Sequence, residues 1–65
     1  MTIRLNGTEH ETSAGTISAL LEELSLPPQT ALVEHNGEPR TREEWKSAPL
    51  RDGDRVEVLR VAAGG

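Results

Sequence analysis

The stretch RVEVLRVAAGG, residues 55–65, decides the reading of this chain. Val56 and Val58 alternate with Glu57 and Leu59, which is the period of a strand with one buried face. If Val56 and Val58 turn inward, Glu57, Leu59 and Val61 turn outward. Ala62, Ala63, Gly64 and Gly65 then offer almost no side chain to pack, and glycine loses the most backbone freedom on ordering. The stretch is therefore expected to divide into a strand, closing a folded body over residues 1–61, and a flexible tail over 62–65.

The strand needs partners, and the preceding sequence supplies them. In TIRLN (2–6), Ile3 and Leu5 share one face. The NGT that follows marks a hairpin, because Asn and Gly both accept positive φ. EHET (9–12) is expected to form the return strand. Thr16 caps a helix whose apolar face is Ile17, Leu20, Leu21 and Leu24, with Ser18, Glu22 and Glu23 in water. Pro27 and Pro28 are expected to stop it. ALVEH (31–35) is a further strand, with Ala31, Val33 and His35 on one face and Leu32 and Glu34 on the other. Asn36 and Gly37 turn it back through Glu38 to Arg40. TREEW (41–45) reads as one helical turn with a Thr41/Glu44 capping box, interrupted by Pro49. RDGD (51–54) is a tight turn in which Gly53 takes positive φ. One helix covers one side of a mixed sheet but not of a lone hairpin. The expected fold class is accordingly α+β, with the first and last strands adjacent in the middle.

Composition narrows the function. The chain has 65 residues, no Cys, Phe or Tyr, one Trp and a formal charge of -4. An aliphatic core in one small domain follows. Without Cys there is no disulfide scaffold, thiol nucleophile or sulfur-rich metal site. The acidic balance argues against nucleic acid as partner, and no apolar run spans a membrane. Met1 leads straight into alternating residues rather than a signal peptide, and a cytoplasmic location is expected. His10 and His35 have no ligand spacing that would build a metal site. Asp52 and Asp54 lack the rest of a calcium loop. No glycine-rich phosphate loop precedes Lys46, and the serines have no histidine–acid arrangement. No metal or cofactor is expected on this chain, which acting alone is not expected to be an enzyme.

One reactive group is left, the carboxylate of Gly65. Four extended residues reach roughly 13 Å, so a narrow channel in a partner would admit Ala62, Ala63 and Gly64 while the body stays outside. Activation requires a partner that binds ATP and magnesium. The carboxylate oxygen attacks the α-phosphate, pyrophosphate leaves, and the acyl-adenylate is open to a sulfur or amine nucleophile.

With those residues in view, the chain resembles the ThiS family of thiamine-pathway sulfur carriers, relatives of the molybdopterin-synthase small subunit and of ubiquitin. HNGEPRTREEW (35–45) and LRDGDRVEVLRVAAGG (50–65) carry the likeness, through Asn36, Gly37, Arg40, Trp45, Leu50, Asp52, Gly53, Asp54, Val56, Glu57, Gly64 and Gly65. The resemblance implies a ubiquitin-like β-grasp fold. It implies adenylation of Gly65 by a ubiquitin-activating-like enzyme of the ThiF type, and a thiocarboxylate formed with sulfur from a cysteine desulfurase route. It implies donation of that sulfur to thiazole synthase. Leu59, Arg60, Val61, Ala62, Ala63 and Gly64 become the expected partner-binding residues, and Trp45 and Leu50 packing residues. His35 departs from the family pattern, standing where an aliphatic residue is more usual; an edge position would accommodate its ring. A carrier for molybdopterin or another sulfur-transfer pathway, a ubiquitin-like protein modifier, and a plain binding module remain open as alternatives.

Overall fold

The structure, a computed structural model, describes residues 1–61. The expected tail at 62–65 lies outside the described residues. Five strands, β1 (Thr2–Leu5), β2 (Thr8–Glu11), β3 (Ala31–His35), β4 (Glu38–Arg40) and β5 (Arg55–Arg60), form one sheet in the order β2-β1-β5-β3-β4. β5 runs parallel to β1 and antiparallel to β3, and the other pairs are antiparallel hairpins. The mixed sheet with adjacent first and last strands is as expected. The return strand β2 begins one residue before the expected Glu9 and ends at Glu11.

Helix α1 (Ile17–Glu23) lies across one face, its Ile17, Leu20 and Leu21 buried. Thr16 Oγ1 accepts the Ala19 N–H at 3.1 Å, as an N-cap should. The helix stops before the prolines, which corrects the expected cause of termination. Ser25 takes φ 57°, its N–H donates to the Glu22 carbonyl, and Leu26 N–H donates to Leu21 at 3.0 Å. Those two bonds make a Schellman ending with serine in the place glycine usually holds, and Leu26 packs against the core. Pro28–Thr30 then form a short 3-10 turn into β3.

Helix α2 (Arg42–Trp45) is held by the complete capping box of Thr41 and Glu44. It ends at Trp45, ahead of Pro49 rather than because of it. Pro49 instead makes an isolated bridge with Thr16, and Leu50 N–H donates to Gly15 at 3.0 Å, tying this segment to the start of α1.

Between sheet and helices lie Ile3, Ile17, Leu20, Leu21, Val33, Trp45, Leu50, Val56 and Val58. Ile3, Ile17, Leu20 and Val56 are the largest wholly buried side chains. Full burial of such a side chain is worth about 1.5–3 kcal/mol, so these few residues dominate the stability of so small a body. Trp45 is buried as well, and its Nε1–H donates to the Arg40 carbonyl at 3.0 Å. Its ring thus pins α2 to the end of β4, the structural role expected of it. Among the described residues no helix is long and apolar enough to cross a membrane.

Candidate functional site

The site is built on β5, the strand that leads toward residues 62–65. Its placement is over-determined. Arg4 N–H donates to the Asp54 carbonyl and Asn6 N–H to Val56, at 2.8 and 2.9 Å. The asparagines of both NG turns, at φ 51° and 52°, then reach back with their side chains. Asn6 Oδ1 accepts from Val58 N–H, and Asn36 Oδ1 from Arg55 N–H, each at 2.8 Å. At the far end, Val61 N–H donates to the Thr30 carbonyl at 2.6 Å. Every length of the strand is therefore tied to a neighbour, which fixes the direction in which the last described residue points.

Alternation sends Val56 and Val58 into the core and leaves Leu59 and Val61 on the opposite face, 60% and 48% exposed. Leu59 stands directly across from Leu32 of β3, itself 58% exposed. Leu59, Val61 and Leu32 thus form an apolar patch next to the end of β5, as the sequence predicts. Arg60 is exposed but alternates with them, and so lies on the helix side of the sheet rather than in the patch. Ala62, Ala63, Gly64 and Gly65 lie outside the described residues.

His35 is where the sequence is least informative. It is buried, 6% exposed, on β3, which is flanked by β5 and β4 and is not an edge. The expected edge position is corrected by this. What accommodates the ring is a carboxylate: His35 Nε2 lies 2.7 Å from Asp54 Oδ2. Asp54 also accepts from the Arg51 N–H at 2.9 Å and from Asn36 Nδ2 at 3.2 Å. Burial pushes the Asp54 carboxyl upward, but the bonds from His35, Arg51 and Asn36 together outweigh it and hold the group below the usual aspartate range. The turn at 51–54 is therefore locked into the body rather than merely solvated. Asp52 Oδ1 accepts the Thr2 N–H at 2.7 Å, adding a second tie. An open groove of about 500 Å³ beside His35 is lined by Arg40 and Arg51 but equally by Glu44 and Asp54, so it offers no net charge to an anion.

Two further carboxylates are held below their usual range. The Thr12 hydroxyl, followed by His10, does this for Glu23, and the Thr41 N–H, followed by its hydroxyl, does it for Glu44. With Asp54, all three are depressed in the fold, so the stability they contribute is complete above the ordinary carboxylate pKa and is lost as pH falls through the lowered values. The melting temperature is expected to hold steady from about pH 7 to 5 and to fall below about pH 4. Asp54→Asn should melt lower at neutral pH and show a shallower fall in acid. Thermal melts from pH 7 to 2 check this, and a flat profile for the parent protein would contradict it.

Among the described residues no group of three or more His, Asp or Glu is placed to hold a metal ion. The geometry is that of a rigid body presenting a patch and a strand end. A ThiS family model matches residues 3–65, the whole chain but its first two residues. The chain belongs to the ThiS family. ThiS proteins are sulfur carriers of thiamine biosynthesis, and solved relatives share this architecture. The crystal structure of the thiamine biosynthesis protein ThiS from Geobacter metallireducens superposes with a TM-score of 0.85 at 30% identity, covering 100% of both chains. The solution structure of a thiamine biosynthesis protein from the same organism gives 0.82 at 30% identity, covering 100% of this chain and 88% of that one. The fold is thus the ubiquitin-like β-grasp. Curated relatives include the thiazole synthases of Magnetococcus marinus and Paramagnetospirillum magneticum, 35% and 33% identical over 66 residues. This ThiS chain spans only 20% of the length of each.

Proposed function

We propose that this protein carries sulfur as a thiocarboxylate on Gly65 for the formation of a thiazole. The observation that carries the reading is the family match, which continues through the tail to residue 65. A ThiF-type adenylyltransferase binds ATP and magnesium. The Gly65 carboxylate oxygen attacks the α-phosphate and pyrophosphate leaves. A persulfide charged by a cysteine desulfurase then attacks the acyl carbon and AMP leaves; a second thiol cleaves the resulting acyl disulfide, forming a disulfide on the donor side and releasing the Gly65 thiocarboxylate. The resulting thiocarboxylate is consumed by thiazole synthase, and the carrier returns as a carboxylate. In this scheme the chain is a co-substrate, and stabilisation of charge on phosphate belongs to the partner's metal and cations.

Two features support thiazole formation over another sulfur-transfer pathway. Two relatives named thiazole synthase contain a segment that aligns with all of this chain. The likeness to solved thiamine biosynthesis proteins also extends over the whole body. The exposed Leu59 and Val61, adjoining the tail, suit a body that docks while its end enters a channel. Exchange of labelled pyrophosphate into ATP by the ThiF-type enzyme tests the first step. Exchange should require the carrier, and the sulfurated product should support thiazole synthase but not a molybdopterin synthase large subunit. Exchange at the same rate without the carrier, or sulfur delivered only to the molybdopterin enzyme, contradicts the proposal.

A further inference from the structure

The outer face of the sheet carries an arrangement that stability alone does not favour. Glu34 of β3 and Glu57 of β5 stand directly opposite each other in register. Side chains so placed have their Cβ atoms about 4.5–5.5 Å apart, and like charges there repel. Both residues are exposed, and among the described residues neither takes part in an ion pair. Arg40 Nη1 lies 3.7 Å from Glu44 Oε2. Arg55 shares Glu57's face two residues back along β5 and stands across the parallel ladder from Arg4, outside ion-pair distance of Glu57.

The surroundings are not those of a merely solvated pair. Leu32 and Leu59 form the next outward pair on the same two strands, and Pro39 of β4 faces Glu34 from the other side. Leu32, Pro39, Leu59 and the two glutamates line a groove of about 180 Å³, with Arg40 at its β4 end. The groove therefore has an apolar rim on two sides and two carboxylates that outnumber its one cation, Arg40, which is shared with Glu44. Just beyond β5 the outward face continues to Val61, the last described residue.

We infer that this groove seats an arginine side chain of the thiazole synthase that receives the tail, with its guanidinium between Glu34 and Glu57 and its stem against Leu32, Leu59 and Pro39. The inference rests on the proposed sulfur-carrier reading and names the partner chemistry of its docking face. A guanidinium is the cation that fits best, because its planar fork donates to two carboxylates at once and is weakly hydrated. A lysine ammonium would satisfy the charge without the two-sided geometry. Contact with the partner relieves a repulsion that exists only in the free carrier. The charge pair therefore favours the docked state over the undocked one, and steers encounter toward a basic surface.

The test uses the full chain, thiazole synthase and the ThiF-type adenylyltransferase of the same organism, with E34Q/E57Q as the variant. Free, the variant should melt about 2–4 °C higher than the parent, since the repulsion is gone. Its affinity for thiazole synthase, measured by titration calorimetry, should be at least about 10-fold weaker. The parent's affinity should fall with added salt more steeply than the variant's. An E34Q/E57Q protein that binds thiazole synthase as tightly as the parent, or that loses affinity only for the adenylyltransferase, overturns the inference. So does a parent that binds thiazole synthase not at all. Weaker binding by the variant in a protein that nevertheless forms no thiocarboxylate supports the seat and contradicts the sulfur-carrier reading alone, so the two failures are told apart.

Discussion

Deleting Gly65 is expected to abolish sulfur loading while leaving the body as stable as before. The deletion withdraws the carboxylate by about 3.3 Å, one extended residue. Misplacement of a reacting group by about 1 Å is already enough to cost roughly 100-fold in rate. A retreat three times as large should bring adenylation below about one part in 1,000 of the parent rate. The shortened chain still ends on a glycine, Gly64, so residue type is unchanged and position alone is tested. Val61 and everything before it keep their hydrogen bonds, including Val61 N–H to Thr30 at 2.6 Å. The melting temperature should therefore move by less than about 2 °C. Pyrophosphate exchange and a thermal melt on the same sample check both halves. Loading retained at more than a tenth of the parent rate would remove the positional argument.

Leu20→Ala is expected to have the largest effect on the body. Leu20 is wholly buried in the centre of α1, among the core side chains facing the sheet. Truncations of this kind cost about 2–5 kcal/mol, transfer and cavity together. A domain of this size has a total stability of only about 3–10 kcal/mol. The variant should lose at least about 10 °C in melting temperature, and a substantial fraction should be unfolded at 37 °C. Leu59→Ala provides the contrast on an identical residue type. Leu59 is 60% exposed on the outer face, and its replacement should change stability by less than about 0.5 kcal/mol. Denaturant titration of the two variants checks the pair. Equal costs would mean that the assignment of the two faces of the sheet is wrong.

That assignment is also the part of the structure most legible in the sequence. Alternation in RVEVLRV and ALVEH places Val56, Val58, Val33 and His35 on the buried side, and Leu59, Leu32, Glu34 and Glu57 on the other. The three- and four-residue spacing of Ile17, Leu20, Leu21 and Leu24 places α1. These are local signals, and local periodicity survives in the fold because the hydrophobic effect sorts side chains by face. The Thr41/Glu44 box is equally local.

What was not legible depends on residues distant in the chain. That Asn6 and Asn36 clasp β5 through their amide oxygens follows from a sheet order in which β5 lies between β1 and β3. The turn chemistry of NG says only that positive φ is accessible. His35 is buried because Asp54, beyond a turn and a helix, meets its ring; the ring by itself reads as a misfit in an apolar strand. Ser25 ends α1 at positive φ, a conformation for which glycine is the usual signal, so Pro27 and Pro28 drew the boundary too late. At the site, the patch of Leu59, Val61 and Leu32 was readable from alternation. The confrontation of Glu34 with Glu57 required the register of β3 on β5, and register is set by the whole sheet. The separation of Arg60 from Leu59 and Val61 is plain alternation that grouping by adjacency obscures.

The claim on which the account turns is that Gly65 is the atom-bearing end of the carrier. Its most direct test is the intact mass of the protein after incubation with the ThiF-type enzyme, ATP, magnesium and a sulfur source, followed by fragmentation. Replacement of one carboxylate oxygen by sulfur adds about 16 Da, the product of acyl activation and sulfur attack. The account predicts that increment in an ATP-dependent manner, and only on fragments that contain Gly65. An unchanged mass, or an increment borne by fragments ending before Gly65, would contradict it.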